Sequence, residues 1–181
     1  MLRSNLIKAA FLVTSLSLAT PATFAETGTL SREEANVFLA LHQGRWIGKV
    51  QATIGEAEIK KVDDEALNYL DFEYLESNGF VSMRNYGPRS GGRGFTHYDA
   101  EKKIIRSINY GVGGVVTHHE IHPKDGAWFR TSKQILADGS SREFKSTIRF
   151  IDNNQTIKIE IRQNGDETED STQTNIWRRI Q

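Results

Sequence analysis

The chain has no cysteine, few prolines and no surplus of either charge among its 181 residues. Without cysteine there is no disulfide, thiol nucleophile, thiolate zinc site or iron–sulfur cluster. In an oxidising compartment such a fold must be held by its core alone. Lys plus Arg number 23, and so do Asp plus Glu. That balance leaves no basic excess to neutralise a phosphate backbone, so nucleic acid is not an expected partner. Also missing are a nucleophile elbow, a phosphate loop, a His-Glu-x-x-His helix and a glycine-rich dinucleotide turn. No catalytic residue is therefore assigned.

Long apolar runs are equally scarce. Ala9 to Ala19 is the apolar centre of a secretory signal, preceded by Arg3 and Lys8 and followed by Thr23-Phe24-Ala25 as the cleavage site. It is too short to span a bilayer, which takes about 20 residues, and no later segment does better. No cysteine follows to carry a lipid. These features predict a periplasmic or secreted protein, cut after Ala25 and without a membrane anchor. Residues 26–181 are then a single domain, carrying 21 basic and 23 acidic side chains.

What is present is one helix and then a long succession of strands. Ser31 followed by Glu34 forms a capping box, Val37, Phe38 and Leu41 recur at helical spacing, and Gly44 ends the helix. Beyond Gly44 the period is two, most clearly in Ile157, Ile159 and Ile161 alternating with Lys158, Glu160 and Arg162. Turn signals recur at short intervals: Ser77-Asn78-Gly79, Gly91-Gly92, Asp99 to Lys102, Gly111 to Gly114, Pro123 to Gly126, Ala137-Asp138-Gly139, Asp152 to Asn154 and Asn164-Gly165-Asp166. Nothing helical separates the strands, so the sheet is antiparallel. A two-sheet sandwich would share this pattern. Closure removes exposed edges most simply, so the expected fold is all-β: an antiparallel up-and-down barrel of about eight to ten strands, preceded by one short helix. Such a barrel holds one small ligand.

The strands between Phe72 and Ser132 carry mixed faces. Phe80, Ser82, Arg84 and Tyr86 share one, Ile104, Arg106, Ile108 and Tyr110 another, and Trp128, Arg130 and Ser132 a third. They fit either a partly polar lumen or a solvent-facing surface. The segment Val115 to His122, "VVTHHEIH", holds three of the five histidines. Read as a strand stopped by Pro123, it places His118, Glu120 and His122 on one face with Val116. His119 falls on the other with Val115, Thr117 and Ile121. Alternate residues lie ~6.6 Å apart and His118 to His122 ~13 Å, so the segment alone cannot supply three metal ligands. His97 or Asp99 could complete a set, but nothing in the sequence requires it, and no metal site is assigned. The candidate lumen groups are Arg84, Tyr86, Tyr110, His118, Glu120, His122, Trp128 and Arg130.

Gly44-Arg45-Trp46-Ile47-Gly48, at the junction of helix and first strand, resembles the Gly-x-Trp signature of the calycins, the lipocalin-like barrels. The second glycine is similar to the nitrobindin-like branch and related bacterial lipocalin-like proteins. Gly94-Phe95-Thr96-His97-Tyr98-Asp99 resembles that branch's G-x-x-x-Y-D turn. The resemblance implies a structural signature of Gly44, Trp46 and Gly48 with a late arginine, Arg178, packed over the tryptophan. It also implies haem held by a late histidine. No histidine follows His122, so that ligand has no counterpart here and no cofactor is expected.

The sequence thus predicts an exported soluble barrel binding a small amphipathic or hydrophobic molecule in its lumen. Two other readings stay open. One is a small periplasmic enzyme using His118, Glu120 and Arg84 or Arg130; the other is a ligand-free module that binds protein in the envelope. Oligomeric state is not encoded in any feature of the chain.

Overall fold

The computed structural model describes residues 29–50, 66–75, 79–87, 90–163 and 173–180. The signal sequence and the turn signal at Asn164 to Asp166 lie outside them, as do Ser77 and Asn78. Helix α1 spans Arg32–His42. Ten strands follow: β1 Gly44–Val50, β2 Ala66–Leu75, β3 Phe80–Gly87, β4 Ser90–Asp99, β5 Ile104–Gly111, β6 Val116–Lys124, β7 Ala127–Ile135, β8 Ser141–Ile151, β9 Thr156–Gln163 and β10 Gln173–Arg179. Each pairs antiparallel with the next, and β10 returns to β1 to close the barrel. Among the described residues no helix is long and apolar enough to cross a membrane.

The helix starts where its capping box requires. Ser31 Oγ accepts from the Glu34 amide, and the Glu34 carboxylate accepts from the Ser31 amide at 2.9 Å. Its buried face is Ala35, Phe38 and Leu39, while Val37 faces solvent. The expected stripe is therefore rotated, because α1 lies across one end of the barrel instead of along its wall. Phe38 meets Trp128 of β7 at 4.2 Å and Phe150 of β8 at 6.0 Å. His42 meets Phe72 of β2 at 5.0 Å. One helix face thus touches opposite walls and plugs the end where β1 begins.

The seam between first and last strands carries the signature residues. Gly44 opens β1 at φ 111°, a left-handed value that favours glycine. Trp46 is fully buried and donates its indole N–H to the His42 carbonyl at 2.9 Å. The guanidinium over its ring, 4.1 Å from the centroid, belongs to Arg179. Arg178, the residue expected there, points to solvent. Period two decides between them: Asn175 and Trp177 face inward, so Arg179 turns to the inner side and Arg178 to the outer. Arg179 also donates to the carbonyls of Gln43 and Leu41, capping the helix C-terminus, and to Asn154 in the β8–β9 turn. Gly48 pairs with Trp177 across the seam. A Cβ at Gly48 would collide with the Ile176 carbonyl oxygen and come within 2.7 Å of the Trp177 ring.

β6 runs two residues further than expected, through Pro123 to Lys124. Pairing with β5 has ended at Ile121, so by Pro123 only β7 flanks the strand and a missing amide donor is tolerated.

The two adjacent arginines separate structural from surface roles. Arg179→Ala is expected to lower the unfolding free energy by about 2 kcal/mol, through the lost ring stack and carbonyl bonds. Arg178→Ala should change it by less than about 0.5 kcal/mol. Urea denaturation of both variants checks the assignment, and equal losses would refute it.

Candidate functional site

Inward side chains of the ten strands do not fill the barrel. A cavity of about 180 Å³ remains, with Phe38 and His42 at its base and Gly91, Gly111 and Val112 at the opposite rim. An apolar cavity of about 150 Å³ already accepts a benzene-sized molecule. Its wall is two-sided. Ile148 of β8 and Ile157, Ile159 and Ile161 of β9 make one side apolar, with Leu70 and Met83 adding to it. Amides and hydroxyls from the other strands make the rest polar.

The polar side is internally bonded. Trp177 donates to Asn68 at 2.9 Å, and Asn68 in turn donates to Asn85 at 2.6 Å. Thr96 donates to Ser107 at 2.9 Å. The Asn109 amide reaches His119 Nε2 at 2.9 Å, and His119 Nδ1 reaches Ser132 Oγ at 2.7 Å. An amide N–H at Nε2 makes that nitrogen the acceptor, so Nδ1 carries the proton and donates to the serine. His119 is held neutral: burial pushes its pKa well below the ordinary range, and the charges of Arg130 and His118 push it further.

His42, on the last turn of α1, is the second lumenal histidine. Its Nδ1–H donates to the Phe38 carbonyl at 2.9 Å. Its Nε2 has no partner among the described residues. Burial lowers its pKa to about 4; the Phe38 carbonyl opposes the shift, while Arg130 and Arg179 add to it. Arg130 of β7 is the cation common to both histidines. Its Nε donates to Ser146 Oγ at 2.7 Å, and burial brings its pKa down to about 10. It lines the cavity and is not fully covered. It remains charged at neutral pH.

The candidate groups from the sequence divide between the two sides of the wall. Arg130 lines the cavity, Tyr110 stands at its rim with half its surface exposed, and Trp128 is buried beneath Phe38. The predicted split of the histidine segment is observed, but the inner face is the one carrying Val115, Thr117, His119 and Ile121. His118 is exposed on the outer surface. Glu120 pairs there with Lys102 at 3.4 Å and Arg106 at 3.9 Å, and His122 lies against Phe129 at 5.2 Å. Arg84 is exposed on the outer wall, where Tyr86 stacks on Tyr69 at 5.2 Å. So His118, Glu120 and Arg84 do not meet Arg130 inside one pocket. The placement follows apolar content. The inner face of the segment has two apolar β-branched residues, Val115 just before β6 and Ile121 within it, and no charge, and the outer face has the glutamate. Among the described residues no three His, Asp or Glu converge as metal ligands. His42 and the asparagines Asn68, Asn85 and Asn109 were not singled out by the sequence, because a lone histidine or amide carries no motif.

The two depressed histidines make stability depend on pH in a definite direction. Above ~6.5 neither the folded nor the unfolded chain protonates them, and they contribute no slope. As pH falls below that value the unfolded chain takes up protons that the folded barrel refuses. Stability then declines until the folded pKa is reached, about 4 for His42. Each contributes up to about 1.4 kcal/mol per pH unit. Urea midpoints measured at pH 7 and pH 5 should fall less in His42→Phe than in the unmodified chain, and least in His42→Phe combined with His119→Gln. An unchanged slope in the double variant would refute this.

No protein-family model matches the chain, and no curated protein matches its sequence. The closed ten-stranded antiparallel barrel with its preceding helix is consistent with a calycin, lipocalin-like fold.

Proposed function

We propose that this is an exported barrel of the calycin type, close to the nitrobindin-like branch, that takes one small amphipathic or hydrophobic molecule into its lumen. The cavity of about 180 Å³, closed at its base by α1 and bordered by isoleucines on one side, is the observation that carries the reading. Ligand sites are typically concave and mostly apolar with a few placed polar groups, and this lumen has that composition. No cofactor or metal is part of the reading.

Trp177 lines the cavity and serves as its reporter. Adding 8-bromo-1-octanol is expected to quench tryptophan fluorescence saturably. Ile159→Phe, which pushes a ring into the same space, should weaken that binding about tenfold, or about 1.4 kcal/mol, without loss of the fold. Quenching that rises linearly with concentration, and equally in both proteins, would sink the proposal.

A further inference from the structure

The lumen contains a cation that no described residue neutralises. Arg130 has one hydrogen-bond partner among the described residues, the hydroxyl of Ser146 at 2.7 Å, and that bond uses Nε. Its terminal nitrogens have none, and among the described residues no carboxylate lies within ion-pair distance of it. Neither the histidines nor the other arginine bordering the cavity supplies a counter-charge. His42 and His119 are neutral, and Arg93 at the rim is itself cationic. Placing a guanidinium inside a barrel costs several kcal/mol unless an opposite charge and further hydrogen bonds compensate. A fold that needed only to fill this space would do better with an apolar side chain of similar volume. Two parallel terminal N–H donors match the oxygens of a carboxylate, and such charge-assisted pairs are about twice as strong as neutral ones.

The surroundings define what is attached to that anion. His42, at the closed base, borders the same space and keeps Nε2 as an open acceptor. A protonated donor on the ligand could use it. The wall of β8 and β9 presents only isoleucine to the cavity: Ile161 is in register with Arg130 through Ser146, and Ile148, Ile159 and Ile157 lie on the side of the α1 base. From this geometry we infer that the lumen binds an amphiphilic carboxylate, its head group on the Arg130 guanidinium and its apolar body along the isoleucine wall. This rests on the lumenal-ligand reading above and narrows it to an anionic class.

Isothermal titration at pH 7.5 with octanoate, 1-octanol and acetate tests the inference on the unmodified chain and on Arg130→Met and Arg130→Lys. Octanoate is expected to bind at least about tenfold more tightly than 1-octanol, and acetate about a hundredfold more weakly than octanoate. Arg130→Met should lose about thirtyfold toward octanoate while holding 1-octanol within about threefold, and Arg130→Lys should fall between. Equal affinity for octanoate and octanol overturns the anion site but leaves the lumen reading standing. Failure of both ligands overturns the two together. Acetate binding as well as octanoate would make this a small-anion site and overturn the amphiphile. Should Arg130→Met not fold, carbon-13 titration of carboxyl-labelled octanoate on the unmodified chain decides alone. The bound carboxyl should titrate below the free acid, and a value at or above it refutes the pairing.

Discussion

Everything in this barrel depends on the guanidinium of Arg179 lying over the indole of Trp46. The contact is modest as an isolated cation–π pair, about 0.5–2 kcal/mol. Its importance comes from what else the same side chain holds. The carbonyls of Leu41, Gln43 and Asn154 all accept from Arg179. One residue thereby ties the end of α1, the start of β1, the end of β10 and the turn between β8 and β9. The helix is fixed across the barrel end by that tie, and fixing the helix places Phe38 and His42 at the base of the lumen. The cavity floor is thus set by the seam together with the wall aromatics Phe72, Trp128 and Phe150.

The interior chemistry follows from a different constraint, the expense of charge in a medium poor in water. The lumen is lined by isoleucines, amides and hydroxyls, and its histidines stay unprotonated. Asn109 and Ser132 fix His119 in one tautomer from both ring nitrogens, so it cannot change its bonding without disturbing β5 and β7. Arg130 is the exception to this economy. Surface pairs such as Lys102 with Glu120 or Arg149 with Glu160 sit in water, where their contribution is small. The cation that matters is the one without such a partner among the described residues.

Much of the architecture was legible because it is written in short-range patterns. Ser31 and Glu34 announce the helix start, the isoleucines of β9 announce period two, and Gly-x-Trp-x-Gly marks the strand that closes the barrel. The site was harder to read for a physical reason. In an antiparallel barrel the two faces of a strand differ only in what surrounds them, and a mixed face such as Arg84 with Tyr86 fits water as well as a lumen. The outer wall here is rich in aromatics and arginine: Tyr69 stacks on Tyr86, and Phe95 remains nearly half exposed. The inner faces of β3 and β5, with Val81, Met83 and Asn85 or Ile105, Ser107 and Asn109, look bland by comparison. The large, conspicuous side chains lie on the outside. His42 sat on a helix, outside the strand periodicity altogether, and only the packing of α1 brings it to the lumen. The one-residue shift from Arg178 to Arg179 has the same origin, since alternation fixes faces only once one inward residue is known.

The seam also governs the order in which the molecule can be assembled. β2 through β10 are successive hairpin partners, each pairing formed between neighbours in sequence. The closing contact is of another kind: Arg179 reaches Leu41 across 138 positions. Loop-closure entropy makes such a long-range pairing slow relative to the hairpins. Until it forms, the nascent sheet has two free edges, β1 and β10, with unpaired amides and carbonyls open to other chains. The same event removes both edges, seats the helix and creates the lumen. In this topology the contact that closes the sheet at the β1–β10 seam also removes its two edges and seats α1 beneath the cavity.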